Sequence, residues 1–464
     1  MKGPKVQISC IRSRIAQDAN GRFISGAEHT VALRELIGGT SLGGSLSQLA
    51  GRSVLLAVTD QFSAALAMIE LDGVASRLIL WPPESPIEHL PTVLSKGAVD
   101  AVVTDHDLAP LSADGIPFQV RASAAITPSA NGHLDTQATE WVLLTSGTTG
   151  VPKLVGHDLM SLTSAIVNSG EPEAGAVWGT FYDIRRYGGL QIFLRALLGR
   201  ASLVLSCAGE PVADHLLRLA AHSVTHLTGT PSHWRRALMS PAARTIAPRY
   251  VRLSGEIADK TILNSLRAFY PNAAVAHAYA STEAGVGFAV NDGLEGFPRE
   301  FIASDGDVQI KVEAGSLLIR SRGTAAHYIG EKLALKDAEG FVDTGDMVEL
   351  RGDRYHFLGR RSGMINVGGL KVHPEEVEAA LNRHRAVGMC CVRSRRSPIT
   401  GSVVVADVVL KTDENHSNEQ TVEVKHHILN YCRGMLSRHM VPAALNIVSS
   451  LSVSSTGKIS RHNE

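Results

Sequence analysis

The stretch Thr145-Ser-Gly-Thr-Thr-Gly-Val-Pro-Lys153 gathers hydroxyls, glycines and a lysine directly after the apolar run Trp141-Val-Leu-Leu144. That composition suits an anion. Glycine lets backbone N–H groups close on a phosphate, hydroxyls donate to it, and lysine adds a point charge. Thr145, Ser146, Gly147, Thr148, Thr149, Gly150 and Lys153 are therefore the candidate phosphate-binding residues. Their order is not that of a Walker loop, and no Gly-x-Gly-x-x-Gly follows a strand-like run. A Ser/Thr-Gly stretch alone is equally a surface turn, so the reading depends on what else the chain carries.

An α/β scaffold must position such a loop. Ser53–Thr59, Arg77–Trp81 and Ala98–Thr104 read as strands separated by helices over Ser63–Leu71 and Pro86–Lys96. That rhythm argues for a parallel sheet covered by helices. It continues past the loop, with helices over Leu159–Ser169, Leu190–Leu198 and Val212–Ala221 and strands over Ala201–Ser206 and Thr225–Thr228. Beyond about residue 300, Val308–Glu313, Gly315–Ser321, Asp346–Arg351 and Arg354–Leu358 alternate apolar and polar residues, as antiparallel strands with one buried face do. A helix over Pro374–Arg383, a strand over Val403–Leu410 and a helix over Val422–Leu436 make up the last hundred residues. The expected fold is α/β: a large N-terminal domain of parallel-rich sheets with a small β-subdomain (1–358), a hinge (359–363) and a small mobile α+β domain (364–464).

The chain has 464 residues, too many for a single hydrophobic core. Lys+Arg and Asp+Glu both total 45, so the electrostatic footprint of a nucleic-acid binder is missing. Its five cysteines show no Cys-x-x-Cys spacing, which points to a reducing compartment and no zinc site. No apolar run reaches the length of a membrane span, and the first residues do not read as a secretory signal. A soluble, cytoplasmic protein is expected, with no nucleic-acid or membrane partner.

Four further segments follow the phosphate loop in order: Tyr279-Ala-Ser-Thr-Glu283, Asp343-Thr-Gly-Asp346, Gly359-Arg-Arg-Ser-Gly-Met-Ile-Asn-Val-Gly-Gly-Leu-Lys371 and Ser455-Thr-Gly-Lys-Ile-Ser-Arg461. Together the five resemble the adenylate-forming superfamily of acyl- and aryl-CoA synthetases, nonribosomal-peptide adenylation domains and luciferases. The resemblance runs from about residue 140 to the C-terminus. It implies that Glu283 holds Mg²⁺, Thr282 contacts phosphate and the Tyr279 ring stacks on adenine. It also implies that Asp346 binds the ribose hydroxyls, with Arg360 beside the sugar or phosphate. Gly255 and Glu256, in Ser254-Gly-Glu256, fall where the family places its adenine pocket. Lys458 is the implied catalytic lysine, brought across by the small domain to the carboxylate and α-phosphate oxygens. A lysine near a chain end is otherwise a solvated tail residue, and Asp343-Thr-Gly-Asp346 is otherwise a turn.

The chain departs from the family's pattern at three places. Gly363 occupies a hinge position that usually carries aspartate or lysine, and Ala280 replaces a glycine. Ser452-Val453 stands where a proline and a basic residue are customary. Arg185 and Arg186, in Tyr182-Asp-Ile-Arg-Arg-Tyr-Gly-Gly189, fall where relatives carry an aromatic or histidine beside the substrate carboxylate. Arginine's planar fork pairs bidentately with carboxylates, so Arg186, Tyr187 and His277 are the candidate substrate residues; surface ion pairing is the equal alternative for the arginines. Gly368, Gly369 and Lys371 are implied on the acceptor side.

The expected activity is an ATP- and Mg²⁺-dependent ligation. A small carboxylic acid becomes an acyl- or aryl-adenylate with release of pyrophosphate, then passes to coenzyme A or to phosphopantetheine on an acyl carrier protein. Two other readings stay open: an amine acceptor or a small inorganic acid in the same chemistry, and a nucleotide-binding protein without turnover.

Overall fold

Ser53–Ala57 has apolar side chains on both faces, and all five of its residues are buried, as a central parallel strand requires. The computed structural model describes residues 10–107, 118–129, 137–145, 150–167, 175–303, 306–397, 400–411, 418–453, 457–459 and 461. In it this strand lies between Arg77–Leu80 and Ala101–Thr104 in a seven-stranded sheet, parallel to both. Glu140–Thr145 extends the parallel run. Lys153–His157 then turns back antiparallel, with Thr145 opposite Lys153. Residues 146–152 thus join the arms of a hairpin, whereas a Walker loop joins a strand to a helix.

A second sheet has eight strands. Phe23–Ser25, Ser202–Val204, Val177–Thr180, His226–Gly229, Tyr250–Ser254 and Ala274–Ser281 run parallel, with antiparallel Thr30–Ala32 and Gly285–Val290 at the edges. The expected parallel-rich sheets are thus two, the eight-stranded one bounded by antiparallel strands at both edges and the seven-stranded one at a single edge. Helix Gln61–Leu71 is buried at every position, which explains why its sequence shows no polar face. Asp60 caps it by accepting from the Phe62 and Ser63 N–H groups. Its carboxylate Glu70 is satisfied by Thr40 and Ser41. The helix read over Pro86–Lys96 divides into a 3₁₀ turn, Ile87–His89, and a helix, Leu90–Gly97. Pro91 lies in the first turn of that helix, where a missing N–H costs nothing.

Phe297–Pro298, Arg354–Arg360, Val342–Arg351, Ser316–Ser321 and Val308–Glu313 form the expected antiparallel subdomain, with its own core of Phe297, Leu317, Ile319, Val342 and Val348. A short 3₁₀ turn, Arg361–Gly363, follows, and Ile365 is the first residue of a separate C-terminal core. That core joins Val392, Val404, Val408, Ile428 and Cys432 from helix Asn418–Met435 and the sheet Val387–Ser397, Gly401–Leu410, Ala444–Ile447. All five cysteines are free thiols and four are buried. Among the described residues no cluster of His, Cys, Asp or Glu could hold a metal. No helix there is long and apolar enough to cross a membrane.

Candidate active site

In open α/β sheets, ligands meet the carboxyl ends of the strands. Three parallel strands of the eight-stranded sheet reach such an end together, at Thr230, at Gly255 and near Tyr279. Gly255 has φ +87°, a conformation that favours glycine. A Cβ there would lie 3.5 Å from Lys458 Cε and 3.6 Å from Thr230 Cγ2. The lysine stem thus crosses the strand end where a side chain is missing.

The tail holds that lysine at several points. Thr230 Oγ1 donates to the Gly457 carbonyl at 2.6 Å. The Ile459 N–H donates to Glu256 at 3.2 Å. Arg461 pairs with Glu375 at 2.5 Å and Glu378 at 2.7 Å, tying the tail to helix Pro374–Asn382 of the C-terminal unit. Burial pulls the Lys458 pKa below the usual lysine range; Arg360 and Arg186 lower it further, against Glu256 and Asp346. The residue keeps an exposed side, so an incoming anion can reach its ammonium and favour the charged form.

Asp346 and Arg360 face each other across the hairpin arms Val342–Arg351 and Arg354–Arg360. Asp346 Oδ1 accepts from Arg360 Nε at 3.1 Å, and its Oδ2 accepts from the Tyr279 hydroxyl at 2.6 Å. Each carboxylate oxygen keeps a second lone pair for a sugar diol. The Tyr279 ring packs beside Phe357 and Phe288, with centroids 5.4 and 5.6 Å away. Gly255, Glu256, His277, Tyr279, Asp346, Arg360 and Lys458 together line a cavity of about 300 Å³ between the large lobe and the C-terminal unit.

On the phosphate side, Lys153 Nζ lies 4.7 Å from the centre of the Tyr328 ring. Burial, then the charge of Glu283, pushes the Tyr328 hydroxyl up to about 12. Glu283 has no hydrogen bond or ion pair of its own side chain among the described residues, and its charge also reaches Arg360. The Thr282 carbonyl accepts from His157 Nε2 at 2.8 Å. Burial holds His157 down to about 4, so the ring is neutral. Thr145 and Gly150 flank the loop, whereas Ser146, Gly147, Thr148 and Thr149 lie outside the described residues. Tyr328 and His157 are positioning residues with no motif around them; only the strand pairing Val155–Tyr328 and the start of helix Leu159–Val167 bring them here.

Several of the candidate residues are engaged by neighbours. Glu256 accepts from Ser232 N and Oγ and from Ile459 N, so its carboxylate also holds the tail. Arg185 is 2% exposed, paired with Asp183 and donating to the Val58 and Thr59 carbonyls; it ties two sheets together and faces no substrate. Replacing it by methionine would leave Asp183 without its cation. The expected cost is about 3–5 kcal/mol, read as a lower urea midpoint. Tyr187 is 5% exposed, packs against His157 and is hydrogen-bonded by the Val286 backbone. Arg186 points toward the cleft but is held by Glu84 at 2.6 Å, and its buried Nε has no partner. His277 Nε2 bonds the Leu294 carbonyl at 2.9 Å, and burial lowers its pKa.

Gly363 sits in the 3₁₀ turn with an open surrounding. Gly368 and Gly369, at φ +60° and +90°, form the tight turn between Ile365–Val367 and Leu370–Val372. Lys371 is exposed on the second of those strands, and none of the three lines the cavity.

Comparison with known proteins places this geometry. The family model of the AMP-binding enzyme matches residues 55–328, and that of the AMP-binding enzyme C-terminal domain matches residues 376–458. The chain belongs to the AMP-binding enzyme family. It is 28% identical over 378 residues to a 2-succinylbenzoate–CoA ligase of Bacillus velezensis, covering 77% of this chain and 74% of that one. It is 27% identical to the mitochondrial acyl-coenzyme A synthetase ACSM4 of Rattus norvegicus, covering 69% of this chain and 60% of the relative's length. Among solved structures, a benzoate CoA ligase from Burkholderia xenovorans LB400 superposes with a TM-score of 0.79 at 18% identity, covering 97% of each chain. The anthranilate CoA ligase AuaEII in complex with anthranoyl-AMP gives 0.77 at 19% identity, over 97% of this chain and 94% of that one. The chain is an AMP-forming ligase of the acyl- and aryl-CoA synthetase class, adenylating an acid with ATP before transfer to coenzyme A.

Proposed function

We propose that the cleft between the lobes carries out the first half-reaction in the pose seen here. A carboxylate oxygen attacks the α-phosphorus of ATP, and the bond to the bridging oxygen breaks to release pyrophosphate. Two anions must approach, so the site has to supply charge and alignment more than a nucleophile. Lys458 supplies the charge at the reacting oxygens. Asp346 and Arg360 hold the ribose, and Tyr279 holds Asp346 and walls the base. Lys153 and the Thr145–Gly150 loop take the β- and γ-phosphates, and Arg186, released from Glu84, is placed for the acid. The observation that carries this reading is the passage of the Lys458 stem across Gly255, 3.5 Å from where a Cβ would stand, within the field of Asp346, Arg360 and Arg186.

Mg²⁺ would be held by Glu283, whose carboxylate oxygens have no partner among the described residues, and would neutralise phosphate charge. A hard cation that keeps its waters needs only one or two carboxylates beside the phosphates. Residues 1–358 form the large domain and 364–464 a mobile lid, turning about Gly363. In the second pose the Gly368-Gly369 turn and Lys371 face the thiol, which is coenzyme A or, as a further option, carrier-protein phosphopantetheine. The protein acts in the cytoplasm.

Pyrophosphate release with a panel of acids tests the first half-reaction. Bound ATP with no release for any acid would leave only nucleotide binding. Asp346→Ala should raise the ATP KM roughly 10- to 100-fold, the worth of hydrogen bonds to a charged group. An unchanged ATP KM would remove Asp346 from the ribose.

A further inference from the structure

Behind the reacting cleft lies a second, larger cavity of about 1360 Å³, lined where the parallel strands of the eight-stranded sheet begin. Trp178, Tyr250 and Phe288 form much of its apolar wall, and six arginines (Arg14, Arg22, Arg195, Arg200, Arg252 and Arg322) face two aspartates, Asp18 and Asp307. Most of these cations are occupied. Arg22 donates to the carbonyls of Asp18, Ala196, Leu197 and Ala201, Arg200 pairs with Asp18, and Arg322 pairs with Asp307. Arg195 donates to the Ala165 carbonyl. Arg252 differs: half-buried in strand Tyr250–Ser254, its side chain has no hydrogen bond or ion pair among the described residues. The ionisable groups that feel it are the neutral Tyr182 and Tyr187 hydroxyls and the Arg195 guanidinium.

Its place on the strand links it to the chemistry. Alternation puts Tyr250, Arg252 and Ser254 on one face. Arg252 precedes Gly255, where Lys458 crosses, by three residues, about 10 Å at ~3.3 Å per residue. The Tyr182 hydroxyl donates to the Ser254 carbonyl at 2.9 Å, and Tyr187, next to Arg186, is hydrogen-bonded by the Val286 backbone on the cavity wall.

We infer that this cavity is the far end of the acid-binding site and that Arg252 receives a second anionic group on the substrate. The substrate class is then a carboxylic acid with another carboxylate some ten ångströms along its carbon frame. One carboxylate meets Lys458 and Arg186, the frame lies along the aromatic wall once the Tyr187 ring turns aside, and the other carboxylate pairs with the free guanidinium. This rests on the adenylating role proposed above. A guanidinium left half-buried without a partner is costly, and a bidentate carboxylate is the group its fork matches.

The test compares straight-chain α,ω-diacids, from butanedioate to dodecanedioate, with the matching monoacids in pyrophosphate release. The wild-type protein should favour diacids of intermediate length. Arg252→Met should lower the diacid-to-monoacid ratio of kcat/KM roughly 10- to 100-fold, mostly through KM, and Arg252→Lys should restore part of it. An unchanged ratio in Arg252→Met overturns the inference while leaving adenylation intact. A raised KM for coenzyme A with an unchanged ratio also overturns it, because the cavity would then hold the acceptor's phosphates. If neither series is adenylated, the adenylation reading fails, and calorimetric titration of the same diacids decides Arg252 separately: binding lost in Arg252→Met supports the assignment, and equal binding refutes it.

Discussion

Lys458→Ala should lower acid-dependent pyrophosphate release by roughly 10²- to 10³-fold, the usual loss when a charge-stabilising group is removed from a water-poor site. ATP affinity should stay within a few-fold, because Asp346, Arg360 and the Thr145–Lys153 hairpin are untouched. The fold should hold as well, since the Gly457, Ile459 and Arg461 contacts that dock the tail do not use the lysine side chain. The assay supplies a competent acid and reads pyrophosphate at saturating ATP. Transfer from a preformed acyl-adenylate to coenzyme A should survive, because in the proposed second pose the lid turns and carries the lysine out of the cleft. Near wild-type release from the variant would move the catalytic charge to Arg360 or Arg186. The lowered pKa of Lys458 adds a direction: an ammonium that loses its proton early should lose adenylation at a pH below that of an ordinary lysine.

Much of this site was legible because a few residues carry chemistry that only a phosphate or a diol needs. The order of the five segments placed Lys153, Tyr279, Asp346, Arg360 and Lys458, and the structure brings the last four around one cavity. Strand and helix boundaries were legible wherever periodicity was clean; Val308–Glu313 and Val212–Ala221 agree residue for residue. Long-range satisfaction of polar groups was not legible. Arg185 reads like Arg186 in sequence, yet Asp183 and two carbonyls of the other sheet bury it. Glu256 looks like a pocket carboxylate until Ser232 and Ile459 claim it. The split into two sheets depends on which strands pair, a non-local choice that composition does not encode. Arg252 is the converse case. It is one polar letter in an alternating strand, and only the absence of a side-chain partner among the described residues sets it apart.

Gly457→Ala should impair adenylation nearly as much as loss of the lysine itself, on the order of 10²-fold. Gly457 has φ +73°, and a Cβ there would fall 1.8 Å from His233 Cε1, far inside contact distance. The ring cannot easily retreat. His233 Nδ1 lies 3.2 Å from both the Thr230 N–H and its hydroxyl, and Phe181 stacks on the ring at 5.3 Å. Burial pulls its pKa down to about 3, so it stays neutral and gains nothing by moving to water. The left-handed backbone adds about 1–2 kcal/mol for any residue with a Cβ. A single methyl group therefore keeps the tail out of its groove, and the ammonium stays outside with it, while ATP binding and thioester transfer persist. His233→Ala makes room for that methyl, so the Gly457→Ala, His233→Ala double variant should recover part of the pyrophosphate release that Gly457→Ala loses. That recovery separates a steric block from a merely unfolded tail, which His233→Ala would not mend. Unimpaired adenylation by Gly457→Ala would show that the docked tail is not the adenylating pose.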